Sequence, residues 1–249
     1  MKREPENVEQ KKDKTIIESF YVKMPEVPQV GSAEAEKTEQ QLLARLKVRG
    51  PRAETLKPLA IFYSRVAQQE RAYQYLKMWM KYSKDKEELA ECLLMSGQLA
   101  EQVGQPEPAI SFYREALAQK SENFKTNYFI HNNLAYCLNI RGEFEKAIQH
   151  CQAAIKLDPS RPNAFKNLGV SLAGLGRYTE AVHMWIKATH VDVSDPRAFD
   201  LLEQLIRDHR ESVLKEIPDI DEQVEACRRA IQTAKTGRFA DWARGLTLN

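Results

Sequence analysis

The chain has little cysteine, little net charge and no long apolar run, and each shortage removes a class of function. Four cysteines stand among 249 residues, at positions 92, 137, 151 and 227. No two of them make a C-x-x-C pair, so zinc-ribbon and thioredoxin-type chemistry has no footing. A disulfide framework is not expected in a chain this large without a secretion signal. The thiols are read as free and buried in helix interfaces. Lys and Arg number 37 against 35 Asp and Glu, a net charge of +2. So small a field draws the protein neither to nucleic acid nor to a membrane surface. No apolar stretch approaches the ~20 residues of a membrane span. The opening residues 1–5 are charged and unlike a signal peptide, which points to a cytoplasmic location.

Catalytic and metal-binding constellations are missing as well. The five histidines, His131, His150, His183, His190 and His209, show no H-E-x-x-H or other ligand spacing. A dyad of Cys151 with His131 or His150 is conceivable, but a buried structural cysteine explains position 151 better. Carboxylate pairs such as Glu143/Glu145 and Asp219/Asp221 fall in surface stretches, where solvated charge is the usual reason. Gly169 to Gly176 superficially suggests a phosphate loop, yet no Lys-Ser or Lys-Thr follows and no strand precedes it. No nucleophile elbow occurs. The chain is expected not to be an enzyme and to need no cofactor and no metal.

What the sequence does have is internal repetition, which is best sought before any motif. Ala109, Ala147 and Ala181 can be set in one register. Twelve residues before them stand Gly97, Ala135 and Gly169, and five before them Gly104, Gly142 and Gly176. Four residues after them stand Tyr113, Cys151 and Trp185, and seven after them Ala116, Ala154 and Ala188. Seven residues is two helical turns, so each alanine pair shares a helix face. The small residues let two antiparallel helices approach, and larger side chains fill the space between. The glycine five before the anchor ends the first helix in a left-handed conformation. Such a helix-turn-helix cannot bury its apolar face alone, so units must stack.

This small-large-small register resembles the tetratricopeptide repeat, whose period is about 34 residues. The resemblance implies an all-α fold, a right-handed superhelix of stacked helix-turn-helix units with degenerate ends. Residues 1–38 read as a largely disordered tail. It holds one more apolar stretch over 15–24. Residues 39–89 read as degenerate repeat-like helices, with Ala72 as anchor and Ala67 at the turn-glycine position. Three repeats follow at 90–123, 128–161 and 162–195, the four extra residues between the first two anchors falling in a polar connection near 120–127. Capping helices are expected over 196–249, including an amphipathic segment over 224–242.

In this family the first helices of successive units line a concave groove that holds a partner peptide. Fourteen residues before the anchors stand Met95, Asn133 and Asn167. The two asparagines resemble the family's groove asparagines, and one amide supplies both a donor and an acceptor to a peptide backbone. Helical spacing adds Asn132, Tyr136 and Asn139 from the second unit. It adds Asn163, Lys166 and Val170 from the third, and Arg197 and Asp200 from the fourth. Lys166 and Arg197 could meet an acidic group. The carboxylate clamp that grips chaperone tails is incomplete in both possible frames. One offers Leu94, Gln98, Asn133, Asn163 and Asn167, the other Asn132, Tyr136, Asn167, Arg197 and Leu201.

The resemblance therefore implies a scaffold or adaptor that binds a protein or peptide segment. The alternatives are a dedicated client chaperone or assembly factor and, more weakly, a regulatory subunit of an enzyme complex. Homo-oligomerisation is possible but nothing indicates it. The 224–242 helix, or the tail around Phe20 and Tyr21, is a candidate to occupy the groove.

Overall fold

The computed structural model describes residues 31–246, with side chains as far as 237. Residues 1–30, including Phe20 and Tyr21, lie outside this range. Among the described residues all regular structure is helical. The chain divides into two compact units between Lys120 and Ser121. This division falls in the polar connection that carries the four extra residues. The first of the three regular repeats thus belongs with the degenerate helices that precede it.

The first unit contains α1 (Ala33–Arg49), α2 (Ala53–Arg65), α3 (Gln69–Tyr82), α4 (Lys86–Gln102) and α5 (Pro106–Ala118). Helix α1 begins six residues before the onset at Glu39 read from the sequence. The Ser32 hydroxyl starts it by accepting the Ala35 amide at 3.2 Å. Asp85 caps α4 in the same way, accepting from the amides of Glu87 and Glu88 at 2.9 and 3.0 Å. Pro106 stands at the first position of α5, where the missing N–H has no intrahelical role. Helices α2 and α3 form the degenerate pair. Leu56, Leu59, Tyr63, Ala72, Leu76 and Trp79 pack its core, joined by Cys92 and Leu99 of α4.

At the turn of this degenerate pair the backbone keeps the repeat's geometry without its glycine. Ala67 has φ 56°, close to the φ of 70–74° at Gly104, Gly142 and Gly176. A Cβ in the left-handed region costs about 1–2 kcal/mol. Ala67→Gly should therefore stabilise the protein by about 0.5–1 kcal/mol, the gain being reduced by the freer unfolded chain. Urea unfolding monitored by circular dichroism measures it. A loss of stability would mean that the turn is not strained.

The second unit contains α6 (Phe124–Ile140), α7 (Phe144–Leu157), α8 (Pro162–Gly174) and α9 (Tyr178–Val191). It ends with α10 (Arg197–Glu216) and α11 (Ile220–Leu246). Asn123 caps α6 through the Thr126 amide at 3.0 Å. Helix α7 ends two residues before Pro159, and Asp158 closes the turn by accepting the Ser160 amide at 3.1 Å. Asp192 repeats the device after α9 with Ser194 at 2.9 Å. Helices α6–α7 and α8–α9 form antiparallel pairs. The register has a steric logic in both units. The residue twelve before each anchor faces the one four after it. Where that partner is aromatic only glycine fits: a Cβ on Gly97 would collide with the Tyr113 ring, and one on Gly169 with the Trp185 indole. Between them in sequence, Ala135 is matched with the smaller Cys151.

After the third repeat the pattern departs. Phe199 is buried as a fourth unit would require. But α10 runs for 20 residues with a break at His209, where φ is −132° and ψ is 29°. His209 stacks on Tyr178 with ring centroids 3.9 Å apart. The last helix is longer than the 224–242 segment and packs on α9 and α10. Arg228 lies over the Phe199 ring and pairs with Glu203 at 2.6 Å, and Cys227 Sγ sits 3.8 Å from His190 Nε2.

Candidate functional site

The ten candidate residues all lie in the second unit, on α6, α8 and the start of α10. Their environments differ sharply. Asn132, Asn139, Lys166 and Asn167 are buried. Asn133, Tyr136, Asn163, Val170 and Arg197 are half-buried, and Asp200 is exposed.

The asparagines form a relay of hydrogen bonds from α8 to α6. The Asn167 side-chain amide donates to the backbone carbonyl of Asn132 at 3.3 Å and to its side-chain oxygen at 3.0 Å. Asn132 Nδ2 donates onward to Asn133 Oδ1 at 3.0 Å. About two helical turns further along α6, Asn139 Nδ2 donates to the carbonyl of Asn167 at 2.9 Å. The Ser171 hydroxyl donates to Asn139 Oδ1 at 2.7 Å. Asn167 is 1% exposed, and its Oδ1 is buried without a hydrogen-bond partner. An orphaned acceptor of this kind costs about 1–3 kcal/mol. Position 167 thus both ties two first helices together and keeps one acceptor unused, whereas Asn133 is the more accessible of the two asparagines.

A cationic cluster adjoins the relay. Lys166 is 2% exposed. Its ammonium donates to Asn163 Oδ1 at 3.0 Å and lies 4.0 Å from Asp195 Oδ2. Arg197 grips Asp195 through Nε at 2.7 Å and Nη2 at 2.5 Å. Burial, helped by the Arg197 charge and opposed by Asp195, pushes the Lys166 amine down to about 7. Burial by itself would raise Asp195, but the hydrogen bonds from Arg197 and the charge of Lys166 hold it below the usual carboxylate range. The carboxylate is therefore held mainly by Arg197. Trp185 Nε1 donates to the Lys166 carbonyl at 3.0 Å, fixing the backbone of α8 at this point.

Sequence reasoning did not find Asp195 or Ser171. Asp195 sits in the turn before α10, outside the helical register used to collect site residues. Ser171 is one turn after Asn167, and its spacing was the available signal. The two histidines of the conceivable Cys-His dyad meet each other. His131 Nδ1 meets His150 Nδ1 at 2.9 Å, and burial holds His131 below its ordinary pKa. Cys151 has its thiol pushed up to about 12 by burial, the reverse of a reactive cysteine. All four thiols are free and buried. Among the described residues no three His, Cys, Asp or Glu side chains gather as a metal site would need, and no helix is long and apolar enough to cross a membrane.

Paired helices, left-handed turns and matched small and large residues at a fixed offset define a protein of stacked helix-turn-helix repeats. Residues 90–123 and 128–161 each match the tetratricopeptide repeat model. The chain therefore contains tetratricopeptide repeats. Among solved structures it shares its fold with MamA from Desulfovibrio magneticus RS-1. The TM-score is 0.53 at 18% identity, over 80% of this chain and 97% of that one. It likewise resembles YrrB, described as a tetratricopeptide-repeat protein with an unusual peptide-binding site. There the TM-score is 0.54 at 18% identity, over 68% of this chain and 84% of that one. A curated relative is the photosystem I assembly protein Ycf3 of Prochlorococcus marinus, 27% identical over 96 residues. The match covers 39% of this chain and 55% of that protein, so the chain spans about half the length of this relative.

Proposed function

We propose that the protein is a non-catalytic interaction scaffold whose second unit binds an extended segment of a partner polypeptide along the first-helix face of α6 and α8. The observation that carries this reading is the amide relay, which runs from the buried Asn167 out to the half-buried Asn133. A peptide unit is complementary to a side-chain amide, which offers both a donor and an acceptor whatever the ligand's sequence. Asn133, Tyr136 and Val170 offer accessible surface beside the relay. Arg197, anchored on Asp195, and Lys166 favour a ligand that brings a carboxylate. Such binding needs neither cofactor nor metal and involves neither nucleic acid nor membrane. The working compartment is the cytoplasm.

A second reading is a dedicated assembly factor or client chaperone. It is favoured by the similarity to an assembly protein, and it uses the same face. The two readings part on behaviour. A scaffold is soluble alone and binds several peptides weakly, whereas an assembly factor co-purifies with one client.

The burial of Asn167 decides how to test the face. Removing Asn167 would break the α6–α8 tie, so binding and folding would fail together. The double variant Asn133→Ala/Tyr136→Ala touches the accessible residues instead. Partners that co-purify with the wild-type chain are identified by mass spectrometry. The variant should recover the same partner with a yield lower by about fivefold or more, matching a loss of about 1 kcal/mol or more at a central contact. Its thermal melt should show a folded array. An unchanged yield from a folded variant removes the α6–α8 face from the binding site.

A further inference from the structure

His131 of α6 and His150 of α7 stand where the flanking repeats have apolar side chains. Position 131 lies sixteen residues before the anchor Ala147, and Leu93 and Phe165 lie sixteen before Ala109 and Ala181. Position 150 lies three after the anchor, and its counterparts are Phe112 and Met184. Leu93 and Phe165 are buried, and Phe112 and Met184 are half-buried. Two repeats thus fill these places with hydrocarbon, and the repeat between them fills both with half-buried imidazoles. The fold does not need a polar group at either position.

The two rings meet end to end. His131 Nδ1 lies 2.9 Å from His150 Nδ1, with the ring planes tilted by 33° and the centroids 5.2 Å apart. The centroid separation exceeds the nitrogen separation by about the two ring radii, so both nitrogens lie close to the line between the centroids. That is the geometry of an N–H···N hydrogen bond, which needs one proton between the nitrogens. In the neutral pair one ring carries its proton on Nδ1 and donates, and the other carries its proton on Nε2 and accepts. A first added proton goes to the outer Nε2 of the donating ring and makes the bond charge-assisted. A second added proton must go to the accepting Nδ1. Two N–H groups and two like charges then face each other in a half-buried place, and the contact has to open.

The helices around the pair in the second unit are α6, α7 and α8. Their charged residues are Lys125 on α6, Glu145, Lys146 and Lys156 on α7, and Lys166 on α8. Lys146, one turn before His150, pairs with Glu143 at 2.6 Å. Lys166 donates to Asn163 and lies near Asp195. The other titratable neighbours in sequence stay neutral: burial pushes the Cys151 thiol up to about 12 and raises the Tyr128 phenol as well. Burial, not a neighbouring charge, holds His131 below its ordinary pKa. We propose that His131 and His150 form an acid-sensitive latch between α6 and α7, closed while a single proton bridges them and open once both facing nitrogens are protonated. His131 directly precedes Asn132 and Asn133, so opening the latch disturbs the part of α6 that carries the amide relay. A partner on that face is held less firmly in acid. The latch itself rests on the ring geometry and stands whether or not the face binds peptide.

Two measurements on the full-length protein test the latch, and neither involves a partner. Long-range proton–nitrogen NMR spectra near neutral pH should show one of the two rings protonated at Nδ1 and the other at Nε2. Any other pattern, such as both rings protonated at Nε2, overturns the proposal. The second measurement is acid stability. His131→Phe/His150→Met installs the apolar pair of the third repeat and leaves every other titrating group in place. The closed latch resists protons that the unfolded chain takes up freely, so the wild type loses extra stability as pH falls through the range of an ordinary histidine. Urea unfolding of both proteins at about pH 7.5 and about pH 5 reads this loss. Between those values the ratio of their unfolding constants should change by about tenfold to the wild type's disadvantage, as expected of two sites coupled by direct contact. A ratio that stays constant overturns the latch. His131→Leu/His150→Phe, the pair of the first repeat, provides the same comparison if the first variant does not fold.

Discussion

Replacing Lys166 with methionine should raise the stability of the protein by about 1–4 kcal/mol at neutral pH, the range seen when a buried charged group gives way to an apolar one of similar size. Lys166 is almost fully enclosed, and its ammonium donates to Asn163 Oδ1 and lies 4.0 Å from Asp195. Asp195 does not lose its partner in the variant, because Arg197 already holds it by two nitrogens. The pH dependence identifies the cause. The amine falls from an ordinary 10.5 to about 7 in the folded protein. Between these values the unfolded chain binds a proton that the folded chain does not, so wild-type stability rises with pH across that window. The penalty is fully present at and below pH 7 and is relieved as pH approaches 10.5. Lys166→Met removes the titrating group, so its advantage should be greatest near pH 7 and shrink toward pH 10. Urea unfolding of both proteins at three pH values across this range measures it. A constant difference would show that Lys166 is not carrying the penalty. On the proposed function the same variant should bind an acidic peptide less well, which gives a reason for a costly lysine at this position.

Gly169→Ala should move stability the other way, by about 1–3 kcal/mol. In a helix interior alanine is ordinarily the better residue by about 0.5–1 kcal/mol. The sign of the effect therefore separates packing from propensity. A Cβ at 169 would overlap the Trp185 indole, whose Nε1 is committed to the Lys166 carbonyl at 3.0 Å. Neither the ring nor the α8 backbone can yield without breaking that bond. Gly237 in α11 has nothing within 4 Å of its would-be Cβ. Gly237→Ala should accordingly be neutral or slightly stabilising, and it serves as the control. The double variant Gly169→Ala/Trp185→Leu should be less damaged than the sum of its parts, with a coupling of about 0.5–3 kcal/mol. Additive effects would mean that Gly169 is not conserving room for the indole.

Much of this was readable before any coordinates. The glycines five before each anchor are where left-handed turns are needed. The small residues twelve before are where helices approach, and Ala67 takes the turn conformation that its register position demanded despite its side chain. These features depend on offsets within one helix-turn-helix, and such offsets are local. The site was legible in its residue types and less so in its geometry. Helical spacing put Asn132, Asn133, Asn163 and Lys166 near one face, but spacing does not say how far the neighbouring helix covers that face. The crossing of α6 and α8 buries Asn167 and Lys166 while leaving Asn133 and Val170 partly open.

The sequence by itself therefore determined that this is a stacked helical-repeat protein. It also determined the register of its units and the presence of amides and cations on the first helices of the second unit. Only the tertiary structure decided which of those amides bond to each other and that Asp195 lies between Lys166 and Arg197. It alone showed that His131 and His150 meet end to end between α6 and α7. The physical reason is range. Turn conformation and helix faces follow from residues a few positions apart, whereas hydrogen-bond partnership, burial and cavities arise between helices whose separation and angle are set by the packing of all their side chains together.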